Sequence, residues 1–273
     1  MRELAERYDG FIVDLWGVVH DGVKAYPGVA DCLARLRETG KRVVFLSNAP
    51  RRADTVARAL EGMEIGPALF TGVMSSGEAV HRALRDRTEE FAALGRKFVH
   101  LGPKRDRGLF AGLDLDEVAD PAAADFLLNT GPDDGPAQQN PAFYADMLQA
   151  SLQAGLPMVC ANPDLEIVRD GQRIICAGLL AELYQEQGGR VIQRGKPDAA
   201  IYAPTLEMLG VPKNKVLAIG DSLRTDIAGA KAAGVDACWV LSGIHAFERH
   251  EDAVAEAAEA GLAPVAILPG FTW

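Results

Sequence analysis

A chain of 273 residues, 48% hydrophobic and 24% charged, has ordinary globular proportions and room for one large α/β domain plus a smaller one, which excludes a disordered or fibrous protein. Its formal net charge of -10, with no basic block to offset it, argues against nucleic acid or an anionic membrane as the main partner. The four cysteines, Cys32, Cys160, Cys176 and Cys238, include no C-x-x-C pair, so reduced, buried thiols are expected rather than a zinc site or a disulfide framework.

In chain order, Met1 to Glu6 is polar and acidic, unlike a secretory signal, and no later apolar stretch approaches the roughly 20 residues that cross a bilayer. A cytoplasmic protein is expected. Phe11-Ile12-Val13 then reads as a buried strand ending at Asp14, and Pro27–Gly40 carries Val29, Ala30, Leu33 and Leu36 at helical spacing before a glycine stop. Arg42–Ser47 reads as a second strand, and Pro50 as the start of a helix running through Val56, Ala59 and Leu60. Such a β-α-β-α unit predicts a parallel sheet with right-handed crossovers.

Between about Val80 and Val191 lies a stretch with its own strands, Phe98–Leu101, Phe126–Thr130 and Met158–Ala161, and its own helices around Ala142–Ala154 and Leu179–Glu186. The turn-rich run from Asn129 to Pro136 marks its surface. After Gly195-Lys196-Pro197, the strands Val216–Gly220 and Ala237–Leu241 flank a helix Asp226–Ala233, whose small residues suit close packing, and Ala253–Ala260 reads as an exposed Ala/Glu-rich helix. The expected fold is α/β: a doubly wound parallel sheet built from residues 1–79 and 192–273, with an α/β domain of residues 80–191 inserted.

Four polar signatures end apolar runs in this order: Asp14-Leu15-Trp16-Gly17, Ser47-Asn48, Lys196-Pro197, and Gly220-Asp221-Ser222 with Thr225-Asp226. The carboxyl ends of parallel strands open into the crevice where α/β sheets bind ligands, so the pattern gathers carboxylates, a hydroxyl and an ammonium. Singly, each signature is also an ordinary turn or helix cap. With Cys160-Ala161-Asn162-Pro163-Asp164 in the insertion, the set resembles the haloacid dehalogenase superfamily, subfamily IIA, the NagD-like and pyridoxal-phosphatase-like hydrolases.

The resemblance implies a Mg²⁺-dependent phosphatase with Asp14 as nucleophile and Lys196 as the cation that holds nucleophile and phosphate together. It implies metal ligation by Asp14, Asp221, Asp226 and the backbone carbonyl of Trp16, phosphate binding by Ser47, Asn48 and Lys196, and substrate contacts from Asn162 and Asp164 in an inserted cap. The implied substrate is a small phosphorylated metabolite, and a homodimer is implied through the cap. Mg²⁺ suits the chemistry, since a carboxylate and a phosphate ester repel until their charges are offset.

One departure stands out. Phosphatases of the superfamily carry a proton-transferring Asp two residues after the nucleophile, and here that position is Trp16, whose indole transfers no proton at neutral pH. His20 or Asp21 in the following loop could replace it, or the protein could bind phosphorylated metabolites with little turnover. A nicotinamide oxidoreductase shares the expected fold but needs a G-x-G-x-x-G turn, which the first strand, ending Asp14-Leu15-Trp16-Gly17, lacks.

Overall fold

The structure, a computed structural model, describes residues 1–169, 172–242 and 250–273. Its strands are β1 (Gly10–Val13), β2 (Arg42–Ser47), β3 (Gly72–Ser75), β4 (Lys97–Leu101), β5 (Asp116–Glu117), β6 (Phe126–Asn129), β7 (Met158–Cys160), β8 (Glu166–Arg169), β9 (Gln172–Ile175), β10 (Val191–Gln193), β11 (Val216–Gly220), β12 (Asp236–Val240) and β13 (Ala266–Leu268). The chain divides into two compact units, one of Met1–Ser47, Ala53–Met74 and Lys196–Trp273, the other of Asn48–Arg52 and Ser75–Gly195. Among the described residues, no helix is long and apolar enough to cross a membrane.

The first unit is built on a six-stranded sheet in the order β13-β12-β11-β1-β2-β3. β1 lies at its centre, parallel to β11 on one side and β2 on the other, with Val13 opposite both Ile219 and Phe45. Every residue of β1 and β11 is buried, as strands covered on both faces require. The chain winds outward from β1 through β2 and β3, then returns to the far side through β11, β12 and β13, so direction reverses between β1 and β11. That reversal opens a crevice at the carboxyl ends of the two strands, and Asp14 and Asp221 are the residues that follow them.

The second unit carries a parallel sheet in the order β10-β7-β6-β4-β5 and an antiparallel hairpin, β8–β9. Its sheet separates two apolar layers, one around Phe91, Phe98 and Phe126, the other around Tyr144, Leu148 and Tyr184. Both units are therefore α/β, and the expected doubly wound parallel architecture is what the chain adopts.

Three local expectations need correction. The helix after β2 spans Ala53–Glu61 and does not begin at Pro50. Residues 48–52 belong instead to the second unit, where the Gly77 N–H donates to the Ala49 carbonyl (3.0 Å) and the Ser75 hydroxyl to the Arg51 carbonyl (2.5 Å). Gly77 is required there, because a Cβ on it would lie 2.4 Å from the Arg51 nitrogen. Arg51 pairs with buried Asp106 (3.3 Å) and Arg52 with buried Glu78 (2.6 Å), and these bonds outweigh the local preference of Pro50 for a helix start. The second correction concerns Asp226, which does not open a regular helix: Leu223–Ile227 form one wide π-turn, and the α-helix is Ala228–Ala233. Third, the C-terminal helix, His250–Glu259, is not exposed all round, since Ala253 and Ala257 bury one face.

Candidate active site

Four side chains from three loops of the first unit meet at the carboxyl ends of β1 and β11. The Lys196 ammonium donates to Asp14 Oδ1 (2.5 Å) and to Asp226 Oδ1 (2.6 Å). Carboxylate oxygens of Asp14, Asp221 and Asp226 lie within 4.8 Å of one another, and all three residues are buried. Three carboxylates against one ammonium leave an excess of negative charge where water screens poorly. That donor set, all hard oxygen, fits a divalent cation held by a few carboxylates.

The local chain explains the placement. Asp14 is fixed at the end of β1 by its N–H, which donates to the Ile219 carbonyl (2.8 Å). In the π-turn, the N–H groups of both Asp226 (3.0 Å) and Ile227 (3.1 Å) converge on the Ser222 carbonyl, which widens the turn and swings Asp226 back toward β11. The Ser222 N–H then donates to Asp226 Oδ2 (3.1 Å), so both oxygens of Asp226 are engaged by protein. Gly220 must lack a side chain, because a Cβ on it would sit 2.1 Å from the Asp226 Cβ.

Trp16 lies two residues past Asp14, half-buried, in a turn closed by the Gly17 N–H donating to the His20 carbonyl (2.9 Å). Its ring meets the His20 ring edge-on at 5.7 Å and lies against Gly22, whose hypothetical Cβ would be 2.2 Å from the indole. Trp16 thus supports the loop that follows it. Both candidate substitutes for the absent proton carrier bond that loop's own backbone through one side-chain atom each. His20 Nδ1 accepts from the Gly22 N–H (3.0 Å), and burial pushes its pKa down to about 4. Asp21 Oδ1 accepts from the N–H groups of Lys24 (2.8 Å) and Val23 (2.9 Å), which hold its carboxyl below the usual range.

His20 has a measurable consequence for stability. Its folded pKa lies below the unfolded value of 6.5, so as pH falls the unfolded chain binds a proton before the folded one does. Stability conferred by neutral His20 is present above pH 6.5 and is lost on the way to pH 4, by roughly 3 kcal/mol for a shift of this size. His20→Asn, which offers Gly22 an acceptor that does not titrate, is expected to flatten the acid side of a urea-denaturation series between those pH values. An unchanged acid limb would show that His20 is solvated.

Ser47 ends β2 beside β1 and is buried. In the second unit, Asn48 Nδ2 donates to Asp164 Oδ1 (2.9 Å), and Asn162 Oδ1 accepts from the Asp164 N–H (3.0 Å), an Asx turn after β7. Gly195 packs against this turn, since a Cβ on it would lie 2.7 Å from Asn48 Oδ1 and from Pro163 Cδ. The structure therefore brings Asp14, Lys196, Asp221 and Asp226 together in one unit, and Asn48, Asn162 and Asp164 together in the other.

Reading the sequence placed Gly220 and Ser222 in the fourth signature without giving them a role, and did not single out Trp239. Gly220 and Ser222 flank Asp221 and had a readable signal, a glycine before an acid and a capping serine after it. Trp239 reads only as an apolar strand residue, yet its indole N–H donates to the Asp221 carbonyl (2.9 Å).

Two family models match the chain: haloacid dehalogenase-like hydrolase over residues 11–116, and HAD-hydrolase-like over residues 193–272. Chronophin from Bos taurus is 28% identical over 266 residues, covering 91% of this chain and 86% of its own. Sugar-phosphatase AraL from Bacillus subtilis is 27% identical over 242 residues, covering 86% and 83%. Among solved structures, a haloacid dehalogenase-like hydrolase from Brucella suis superposes with a TM-score of 0.85 at 29% identity, covering 99% of this chain and 98% of that one. The matched segments together take in all four polar signatures, and with this likeness in fold and sequence the chain belongs to the haloacid dehalogenase-like hydrolases, in the subfamily IIA group of phosphatases.

Proposed function

We propose that this phosphatase hydrolyses a small phosphorylated metabolite with Mg²⁺ as its cation and an aspartyl-phosphate on Asp14 as its intermediate. The observation that carries the reading is the buried cluster in which Lys196 holds Asp14 and Asp226 beside Asp221. Asp14, Asp221 and Asp226, with the Trp16 carbonyl, would hold the cation, which when bound supplies the positive charge that lets a carboxylate approach a phosphate. Ser47 and the Asn48 N–H supply donors to phosphate oxygens, and Lys196 adds a fixed charge. An Asp14 oxygen attacks phosphorus as the ester oxygen leaves. Water then cleaves the acyl phosphate, releasing inorganic phosphate and restoring the carboxylate. Asn162 and Asp164 belong to the proposal as substrate contacts, through the turn they form. A cytoplasmic homodimer completes it.

A second reading, a metabolite-binding protein with weak turnover, is favoured by the loop at Trp16. A proton must reach an alkoxide leaving group. Trp16 carries none it can transfer, and Nδ1 of His20 and Oδ1 of Asp21 accept from backbone N–H groups of their own loop. One experiment separates the readings: phosphate release from sugar phosphates, nucleotides, pyridoxal phosphate and nitrophenyl phosphate, by wild type and Trp16→Asp, with Mg²⁺ and with chelator. Wild type is expected to favour the nitrophenyl ester. Trp16→Asp should raise alkyl-ester turnover by about 10²-fold or more, the usual worth of a placed general acid, with little gain on nitrophenol. Activity that survives chelator rejects the cation. A folded Trp16→Asp protein silent on every ester leaves the binding reading.

A further inference from the structure

The two loops that carry the proposed metal ligands leave adjacent strands, whose pairing fixes Asp14 at its root through the Ile219 carbonyl but does not reach the backbone beyond. Asp14 and Trp16 follow β1, and Asp221 follows β11. Their carboxylates repel before any cation arrives, so a rigid element must hold the loops in register. Gly17 sharpens the need, because at φ 83° it has the conformational freedom of a residue without Cβ, directly after Trp16.

The exit of β12 meets this need. Trp239 lies opposite Gly220 in the parallel register and is fully buried. Its indole N–H reaches one residue past the paired strand and donates to the Asp221 carbonyl (2.9 Å). Three residues on, the Ser242 hydroxyl donates to the Gly17 carbonyl (2.7 Å). One short segment thus pins a backbone carbonyl on each of the two ligand-bearing loops. Both bonds are made to backbone carbonyls.

We propose that Trp239 and Ser242 are positioning residues that preset the metal site by fixing the Asp221 and Gly17 peptide groups. The proposal rests on the metal-site reading above. Backbone anchors behind metal ligands act as the hydrogen-bonded outer shell does in metalloproteins, where losing one partner typically weakens affinity by about 10- to 100-fold.

The test is Mn²⁺ affinity of the metal-free protein, read by the loss of the free-ion electron paramagnetic resonance signal, which needs no turnover. Trp239→Phe keeps an aromatic ring in the core and removes the donor; Ser242→Ala removes the hydroxyl, and Ser242→Thr restores it. Each of the first two is expected to weaken Mn²⁺ by about tenfold, with Ser242→Thr close to wild type. A merely structural role would lower the melting temperature and leave affinity in the folded protein unchanged. Equal Mn²⁺ affinity in wild type and Ser242→Ala overturns the proposal, and the Ser242 pair decides it should Trp239→Phe not fold. Wild type that fails to bind Mn²⁺ at all overturns the metal reading instead.

Discussion

Asp14→Asn is expected to abolish turnover, by about 10⁴-fold or more, while the metal-free protein stays at least as stable as wild type. The first half follows from chemistry, since an amide oxygen is too weak a nucleophile to displace an alcohol from phosphorus. The second follows from the charge balance of the cluster. Lys196 bonds both Asp14 and Asp226, so neutralising Asp14 leaves the ammonium its Asp226 partner and removes one of three mutually repelling carboxylates. Phosphate release and thermal melting with chelator check both halves. A variant that melts well below wild type would identify Asp14 as a structural carboxylate at a strand end, and one that retains turnover would remove it as the nucleophile.

Asp221→Ala and Asp226→Ala should fail in different ways. Asp226 has one oxygen on the Lys196 ammonium (2.6 Å) and the other on the Ser222 N–H (3.1 Å), so its loss leaves a buried ammonium with one carboxylate fewer and a donor without its acceptor. Lys196 keeps its Asp14 partner, so the cost is mainly that of the orphaned Ser222 N–H, about 1 to 3 kcal/mol. Asp221 follows β11 directly, and its carboxylate lies within 4.8 Å of those of Asp14 and Asp226, where the proposal gives it to the cation. Asp221→Ala is therefore expected to fold and to lose Mg²⁺ affinity by about 100-fold or more, whereas Asp226→Ala should melt earlier and, where folded, lose less affinity. Calorimetric Mg²⁺ titration with parallel denaturant melts reads both. Equal Mg²⁺ affinity in wild type and Asp221→Ala would sink the ligand assignment.

The parts of this architecture that were legible in the sequence are those where burial on both faces forces a distinctive composition. β1, β2 and β11 are unbroken apolar runs, and each ends in the polar residue that the crevice receives. Less visible were elements fixed by partners remote in sequence. Residues 48–52 look like a helix entry until Asp106 and Glu78 are seen to hold their guanidinium groups. β13, with all its residues only half-buried, has no apolar run to announce it, and the β8–β9 hairpin is likewise mixed in burial. In the site, residue types and order pointed to Asp14, Lys196, Asp221 and Asp226, because a charged side chain at the end of a buried strand is conspicuous. That Trp239 and Ser242 donate to the backbone of the loops after β11 and β1 was not legible, since a hydrogen bond to a carbonyl leaves no trace in the identity of the residue that accepts it.

The five residues 48–52 also bear on how such an enzyme could be recombined. The second unit is not one continuous genetic segment: Asp164, Asp106 and Glu78 take their partners Asn48, Arg51 and Arg52 from a strip of chain encoded well upstream of residue 75. A fragment of residues 75–195 moved into another member of the family would arrive with Asp106, whose carboxyl burial already pushes up, stripped of Arg51, and with Glu78 stripped of Arg52. Exchange of this unit between relatives thus calls for two crossovers more than a simple insertion, and the short upstream strip and the long downstream segment are expected to travel, and to diverge, as a pair.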